Sequence, residues 1–316
     1  MRALTHPARA LPLERALGLG PALRIEAERE QAIALGAAVF EERAIVLGRM
    51  QRAGRVLDAA LFDEPRAGLP EVLRRATTGA HLYLEGEGML LALALPSLDA
   101  VFRDAEPRSL LNRNLRLFLR AFASAGLAAA YFGRDFLSVR RAPFALVGFD
   151  VSPAGTVLIE LYLRREGSLA LPQALSSDLE RATPRFAGKP ALGVRELGSE
   201  LPLLELAERV VEGVVERADA VGEPCVLEPL ELPYLRVEHE RSPLPRDAGA
   251  AEIAAAPIGW IDLARTPRGV WVGGDLLAPV HALGESTPTN AASAADLPID
   301  GALWDDVLLA RDALRR

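Results

Sequence analysis

The sequence predicts an α+β protein, in which a mixed β-sheet is flanked by helices and followed by a small α/β C-terminal accessory domain. Three observations support this class. Apolar runs of strand length are grouped between helices and do not alternate with them in a regular βαβ order. Several of these runs are separated by short turns of small residues, as in hairpins. A proline-rich passage over residues 223–249 predicts a connection between a domain of residues 1–235 and one of residues 236–316.

Apolar spacing predicts the elements of the first half in chain order. They are a helix over residues 13–38, a strand over 44–47 that stops at Gly48, a helix-like segment to residue 62, two strands around the turn 76–80, and a helix over 108–127 that stops at Gly126.

The second half is predicted in the same way. It contains strands on both sides of the turn 152–155, a helix over 201–220, two short strands around the turn 266–269 that lead into a helix, a flexible loop over 284–298, and a short terminal helix.

Composition limits the classes of function. The formal net charge is −7, which argues against a general nucleic-acid-binding protein. No apolar run is long enough to span a bilayer, and the first residues have no secretory h-region, so we expect a cytoplasmic protein without membrane association. Cys225 is the only cysteine, which excludes an internal disulfide and a cysteine-rich zinc site.

Lysine is almost absent from the chain. Among 36 basic residues, Lys189 is the only lysine and the other 35 are arginines. Arginine stays protonated and cannot act as a tunable amine nucleophile or base. Any mechanism that needs a lysine must therefore use Lys189.

General catalytic motifs are missing. The sequence has no phosphate loop, no Gly-x-Gly-x-x-Gly after a strand and no Gly-x-Ser-x-Gly elbow. The four histidines are scattered without a second one at i+4, so we predict no metal site. Cys225 has no neighbour that would lower the pKa of its thiol, which favours a small buried apolar residue over a nucleophile.

Six fragments, taken in their order along the chain, are more informative than these general motifs. They are "AIVLGRMQ" (44–51), "LRRATTGAHLYLEG" (73–86), the leucine-rich helix, "YFGRDFLSV" (131–139), "GKPALGVREL" (188–197) and "IGWIDLARTPRGVWVGGDLLAP" (258–279). In this order they resemble the lipoate–protein ligase family of the biotin/lipoate ligase superfamily. The last fragment resembles that family's accessory domain, in which a strand pair ends in a Gly-Asp turn, here Gly274 and Asp275.

The resemblance implies both a fold and a reaction. Such ligases activate lipoate with ATP, in the presence of Mg²⁺, to an acyl-adenylate. They then transfer the acyl group to a lysine of a lipoyl carrier domain. The expected ligands are therefore ATP with Mg²⁺ and lipoate, and the expected partner is a carrier domain or another protein.

The resemblance also assigns candidate ligand-binding residues in a first loop and the strand after it. Arg75, Thr77 and Gly79 match the family's Arg-Arg-x-Thr-Gly-Gly-Gly sequence, and Tyr83 matches the tyrosine of the following strand. Thr78 and Ala80, however, replace two of the three glycines. Side chains at these positions would crowd a ligand that the backbone must approach closely.

A second group of matches lies in the opening of "YFGRDFLSV". Gly133 and Arg134 match the family's Gly-Arg-Asn-Asp-Leu strand, and Asp135 stands at its asparagine.

The catalytic lysine of the family has no counterpart. It aligns with Pro143, and Lys189 matches a different, downstream lysine. Arg140 and Arg141 are the nearest cations that could substitute for it.

Two hypotheses follow. The positions that differ from the family are those expected to take part in the reaction, while the apolar pattern of the scaffold is kept. This favours a degenerate homologue with weak or no lipoylation activity that retains binding to a ligand or carrier protein. The alternative is an active lipoate or octanoate ligase or acyltransferase in which Arg140 or Arg141 replaces the lysine, since a guanidinium binds phosphate by a bidentate fork. The sequence leaves open whether the protein is an enzyme.

Overall fold

The structure is a computed structural model. It describes residues 1–59, 61, 68–106, 109–182, 186, 189–233, 235–237, 243–245, 247–256, 259–267, 269–280 and 283–286.

The described residues form six α-helices and one 3-10 helix. The α-helices are α1 (Leu13–Leu17), α2 (Leu19–Glu30), α3 (Ala53–Val56), α4 (Leu110–Ser124), α5 (Asp178–Ala182) and α6 (Leu203–Arg217), and the 3-10 helix is Gln173–Leu175.

Two sheets contain the strands. The larger sheet has ten strands: β1 (Arg2–Thr5), β2 (Arg9–Ala10), β3 (Ile33–Leu47), β4 (Glu71–Arg74), β5 (Leu82–Leu95), β6 (Ala129–Tyr131), β7 (Phe136–Val139), β8 (Ala142–Val151), β9 (Val157–Arg164) and β10 (Val221–Pro224). The smaller sheet has four: β11 (Glu252–Ala256), β12 (Gly259–Thr266), β13 (Gly269–Gly274) and β14 (Gly284–Ser286).

The larger sheet is mixed. Its main order is β10-β1-β3-β5-β9-β8-β7-β6, while β2 and β4 pair with β3. β1 runs parallel to both β10 and β3, whereas the central strands β3, β5, β9 and β8 are antiparallel. The predicted α+β class with a mixed sheet flanked by helices is therefore confirmed.

Helices cover both faces of this sheet. In β9, Val157, Ile159, Leu161 and Leu163 belong to the core shared with α4 and α6, whereas Leu158 and Tyr162 belong to the core shared with α1 and α2. This alternation is expected for a strand that is buried on both sides.

The amphipathic helices confirm the sequence analysis closely. α4 buries Leu111, Leu115, Phe118 and Phe122, which recur at three- and four-residue intervals. Two residues after its end, Gly126 adopts a left-handed φ of +89°, and the Leu127 N–H donates to Phe122 O at 2.8 Å. This geometry terminates the helix where the glycine predicted it.

One long helix prediction is wrong. The helix predicted over residues 13–38 ends at Glu30, after a break at Gly18, and Gln31 at its end has a left-handed φ of 48°. Residues 33–38 begin the 15-residue strand β3, of which residues 44–47 are only the end. These residues are buried on both faces of the sheet, so their spacing shows no strand alternation.

Other predictions meet mixed outcomes. The turns 152–155 and 266–269 do join antiparallel strands. In the helix-like segment predicted after Gly48, residues 53–56 form the single turn of α3, and Leu61 is also helical. In the loop predicted over 284–298, residues 284–286 form β14. The rest of that loop and the terminal helix lie outside the described residues.

Candidate functional site

The loop of residues 74–80 connects β4 to β5 and packs against the end of β8. The Arg75 N–H donates to Leu47 O at 3.0 Å, and the Thr78 N–H donates to Phe149 O at 2.9 Å. The buried Arg74 guanidinium donates through Nη1 to the carbonyl oxygens of Gly48 and Gln51 at 2.8 and 2.7 Å. Burial, with a smaller contribution from Arg49, lowers the pKa of Arg74 to about 10.

Arg75 and Thr77 belong to a buried polar network. The Arg75 guanidinium donates to Thr78 O and Ala80 O at 3.0 and 2.9 Å and lies 5.4 Å from the centroid of the Tyr162 ring. Fully buried Glu160 accepts from the Thr77 hydroxyl at 2.5 Å and from the Tyr162 hydroxyl at 2.7 Å. Burial raises the pKa of Glu160, and these two hydrogen bonds oppose the shift.

Glycines make room for this network. A Cβ added to Gly148 would lie 2.3 Å from Thr77 Oγ1, and one added to Gly20 would lie 2.2 Å from Glu160 Oε1. Sequence reasoning missed Glu160 and Tyr162. The available signal was a single carboxylate inside the apolar strand "VLIELYLR", since a buried strand carries a charge only when partners satisfy it.

A segment of the C-terminal region, residues 276–280, covers the loop. The Gly79 N–H donates to Leu276 O at 3.0 Å. Thr78 Oγ1 lies 2.7 Å from both Phe149 O and Ala278 O and accepts from the Ala278 N–H at 3.1 Å. The Val280 N–H donates to Asp150 Oδ1 at 2.8 Å. The Gly79 N–H and the hydroxyls of Thr77 and Thr78 are therefore used within the chain.

The covering segment corrects one prediction and explains it. A helix was expected after the strand pair β12–β13, but residues 275–279 are not helical. Their backbone groups bond to the loop and to β8 instead of to one another. The side chain of Leu277, 5% exposed, enters the core of the larger sheet that also contains Val147 and Phe149.

Replacing Gly79 with alanine tests how tightly the segment covers the loop. Gly79 has a φ of +98°, and a Cβ there would lie 2.8 Å from Leu277 Cδ2 and 2.9 Å from Val147 O. Gly86→Ala is the matched control, because Gly86 has a φ of +81° and open space around its Cβ position. We expect Gly86→Ala to cost about 1 kcal/mol and Gly79→Ala about 2 kcal/mol more in the free energy of unfolding, measured in urea. Equal losses would contradict a tightly covered loop.

The Gly-Asp turn anchors the smaller sheet to the larger one. Gly274, with a φ of +107°, donates its N–H to Met50 O at 3.0 Å. Asp275 accepts from the Trp260 N–H at 2.8 Å, from Gln51 Nε2 at 2.5 Å and from Arg55 Nη2.

Arg55 is the centre of this anchor. Its fully buried side chain also contacts Asp262 Oδ2 at 3.2 Å and Glu180 Oε2 at 3.5 Å. Burial lowers the pKa of Arg55, but the carboxylates of Asp275, Asp262 and Glu180 together raise it above its ordinary value. The cluster joins α3 and α5 to β12 and the end of β13.

Val147 of β8 lies between residues 133–135 and the loop of residues 74–80. The Val147 N–H donates to Asp135 O at 2.8 Å, while Val147 O is the atom 2.9 Å from a Cβ on Gly79. Gly133 is exposed with a φ of +72°, Arg134 is partly exposed, and Asp135 is 5% exposed. Burial, and secondly the charge of Asp135, raise the pKa of Tyr131.

Tyr83 faces a different neighbourhood. Its ring is buried in a separate apolar cluster, and its hydroxyl accepts from Arg43 Nε at 3.0 Å. Among the predicted ligand-binding residues, the fold therefore brings Arg75, Thr77, Gly79 and the backbone of Asp135 together, and Tyr83 contacts other residues.

Arg140 and Arg141 are remote from the loop. They form the two-residue turn between Val139 and Ala142, at the far end of the β7–β8 hairpin. The loop contacts β8 at Val147 and Phe149, five and seven residues beyond Ala142. At a rise of about 3.3 Å per residue, these contacts lie roughly 16 to 23 Å from the start of the strand. Pro143 is buried there, and its carbonyl accepts from the Leu192 N–H at 2.8 Å.

Two features are absent from the described residues. No group of three or more His, Cys, Asp or Glu side chains within them is arranged to hold a metal ion. None of the helices in that part of the chain combines the length and apolar character needed to cross a bilayer.

Sequence comparisons gave nothing: no protein-family model matches the chain, and no curated protein matches it. Comparison with solved structures gave high-probability matches. LipL1 of P. falciparum in complex with lipoate superimposes with a TM-score of 0.62 at 10% identity, over 87% of this chain and 85% of that one.

Two further structures show the same fold. A bipartite lipoate protein ligase of Thermoplasma acidophilum, studied with its E2 lipoyl domain, has a TM-score of 0.57 at 13% identity and covers 72% of this chain and 88% of its own. Lipoate-protein ligase A bound with ATP has a TM-score of 0.55 at 12% identity, over 72% and 90% of the two chains. The chain has the fold of the lipoate–protein ligases.

Proposed function

We propose that this protein is a degenerate lipoate–protein ligase homologue that binds a lipoyl carrier domain and has weak or no ATP-dependent lipoylation activity. The observation that carries the proposal is the cover over residues 77–79. In a working site of this type, backbone donors must face the ligand's phosphates and the developing negative charge. Here the Gly79 N–H and the Thr78 hydroxyl bond to residues 276 and 278 of the same chain.

The engagement of the loop's hydroxyls within the chain argues against efficient binding of ATP or an acyl-adenylate there. The hydroxyls of Thr77 and Thr78 are engaged by Glu160 and by backbone carbonyls, and Arg75 Nη2 donates to the loop's own carbonyl oxygens. Removing one electrostatic contact of this kind typically costs on the order of 100- to 1,000-fold in rate. The missing lysine and the engagement of these groups within the chain together support the proposal that the protein has kept the scaffold but does not turn over efficiently.

The carrier domain is proposed as partner because one of the similar structures is a ligase studied with its E2 lipoyl domain. A scaffold that retains the fold over 72% of the chain can retain a docking surface even where its chemistry is lost.

The distance of Arg140 and Arg141 from the loop argues against the alternative of an arginine-based ligase. The separation of roughly 16 to 23 Å along β8 is far greater than the length of an arginine side chain. This separation argues against direct contact between a guanidinium at the turn and a phosphate bound at residues 77–79.

The test combines a transfer assay with a binding assay. The purified chain is incubated with ATP, Mg²⁺, lipoate and an apo lipoyl domain, and intact mass spectrometry follows the domain. An active lipoate–protein ligase serves as the positive control. We expect no lipoylated product beyond the uncatalysed background, together with saturable binding of the domain measured by titration calorimetry.

Two results would contradict the proposal. Catalytic lipoylation would show a working ligase, and comparison of Arg141→Ala with Arg116→Ala, a similarly exposed arginine on α4, would then decide whether the turn takes part. Absence of any binding to the lipoyl domain would remove the proposed partner.

A further inference from the structure

The turn at Arg140 and Arg141 is conformationally unusual. Both residues have positive φ angles, 50° and 70°, in a two-residue hairpin loop closed by the Val139–Ala142 pair. Positive φ at both central residues is the requirement of a type I′ turn, which sequences normally meet with Asn-Gly. An L-residue with a side chain is less stable in this backbone conformation. The two arginines therefore stand where asparagine and glycine would stabilise the fold more.

The charges at this tip are available. Both arginines are exposed, and neither forms an ion pair with a carboxylate among the described residues. Lys189, also exposed, lies three residues before Leu192, whose N–H bonds to Pro143 O beside the turn. Other exposed arginines do form ion pairs within the chain, such as Arg195 with Glu166 and Arg209 with Glu205.

We propose that the hairpin tip, defined as Arg140 and Arg141, is a docking surface for an acidic polypeptide, with exposed Lys189 as a further cation on the neighbouring segment 189–192. The inference rests on the proposed function in one respect: the acidic polypeptide would be an acidic face of the carrier domain. A convex apex cannot enclose a small anion, since small-ligand sites are concave. Three cations on an otherwise acidic protein of net charge −7 match a negatively charged protein surface by electrostatic complementarity.

Nucleic acid is the less favoured polyanion. Proteins that bind it carry a basic surplus spread over one face, and this chain has 43 acidic against 36 basic residues. The tip offers cations at a single point, which suits a contact with one acidic patch.

The first experiment measures binding to labelled poly-L-glutamate and to an apo lipoyl domain by fluorescence anisotropy, at low and at high ionic strength. Wild type is expected to bind both, more weakly at high salt. Arg140→Glu with Arg141→Glu is expected to weaken both by about ten-fold or more. The control, Arg116→Glu with Arg120→Glu on the exposed face of α4, makes the same change in net charge and is expected to bind as wild type does.

A second variant separates binding from folding. Arg140→Asn with Arg141→Gly supplies the residues that the turn prefers, so its melting temperature is expected to rise while binding falls as far as in the glutamate variant. Loss of binding in a more stable protein cannot be attributed to unfolding.

The single lysine allows a direct contact test. A carbodiimide couples amines to carboxylates without a spacer, and arginines do not react. The described amines are therefore Lys189, near the tip, and the Met1 N-terminus, which precedes β1 near the opposite edge of the larger sheet. Cross-linking to poly-L-glutamate, which has no side-chain amines, is expected at Lys189, as identified by peptide mass spectrometry.

The possible outcomes separate the two proposals. Binding of poly-L-glutamate through the tip without binding of the lipoyl domain supports the docking surface and rejects the proposed partner. Undiminished binding by the glutamate variant overturns the docking surface, as do equal losses in the α4 control, cross-links at Met1 alone, or preference for duplex DNA over poly-L-glutamate.

Discussion

Replacing Arg55 with alanine is expected to destabilise the protein by about 3–5 kcal/mol, the largest effect of any single substitution at the contact between the two sheets. The side chain is fully buried and lies between the carboxylates of Asp262, Asp275 and Glu180. Its removal leaves these buried negative charges without their shared cation, and burial of an uncompensated charge is strongly unfavourable. Urea unfolding measures the loss.

Arg52→Ala is the matched control for this prediction. Arg52 also contacts Asp262, at 2.9 Å, but its side chain is 22% exposed and it forms no second ion pair with a described residue, so we expect a loss of about 1 kcal/mol. Limited proteolysis supplies a second readout, because residues 276–280 should become cleavable in Arg55→Ala at protease levels that leave wild type intact. Equal stability of the two variants would show that the buried cluster does not hold the smaller sheet.

Replacing Glu160 with leucine is expected to cost about 3–5 kcal/mol. The hydroxyls of Thr77 and Tyr162 both donate to this carboxylate, and the Arg75 guanidinium lies close enough to lower its pKa. Leucine removes both the acceptor for the two hydroxyls and the negative charge beside Arg75. The surrounding space is tight, because a Cβ at Gly20 would clash with Glu160 and one at Gly148 with Thr77. Glu160→Gln retains an acceptor oxygen and is expected to cost only about 1–2 kcal/mol. Similar losses in both variants would mean that packing, not the polar network, sets the cost.

The same residue predicts a pH dependence. Burial raises the pKa of Glu160 above its ordinary value of 4.5, so the folded state binds this proton more tightly than the unfolded state does. The contribution to stability is therefore greatest below about pH 4.5 and decreases as the pH rises towards the folded-state pKa. Glu160→Gln lacks this dependence. Urea unfolding of both proteins over a pH series is expected to show wild type gaining relative stability at low pH, and parallel curves would contradict the raised pKa.

The sequence predicted two hairpin turns and the amphipathic helices α4 and α6 well, because their signals are local. The turn 152–155 and the helix that stops near Gly126 depend on small residues and on apolar spacing within one element. Residues 33–38 were assigned to a helix because a strand buried on both faces has no alternation to detect.

The candidate site was predictable only in part. Arg75, Thr77 and Gly79 could be placed together because they share one loop. The partners that determine what the loop does, Glu160 and residues 276–280, come from distant positions and have no motif of their own. Likewise, the sequence suggested Arg140 and Arg141 as substitutes for a catalytic lysine whose position aligns with Pro143, whereas the two-residue turn places them at an exposed apex.

The parallel pairing of β1 has a consequence for how the protein folds. Ala3 lies opposite Gly222, so the first strand of the chain is completed by a strand more than 200 residues later. During synthesis, β1 can pair with β3 early but must wait for β10 until nearly three quarters of the chain has been made. Pairings of such long sequence separation slow folding and leave a strand edge exposed in the meantime. We therefore expect closure of this edge to be among the last steps of folding, and the nascent chain to be most prone to aggregation before residue 224 emerges.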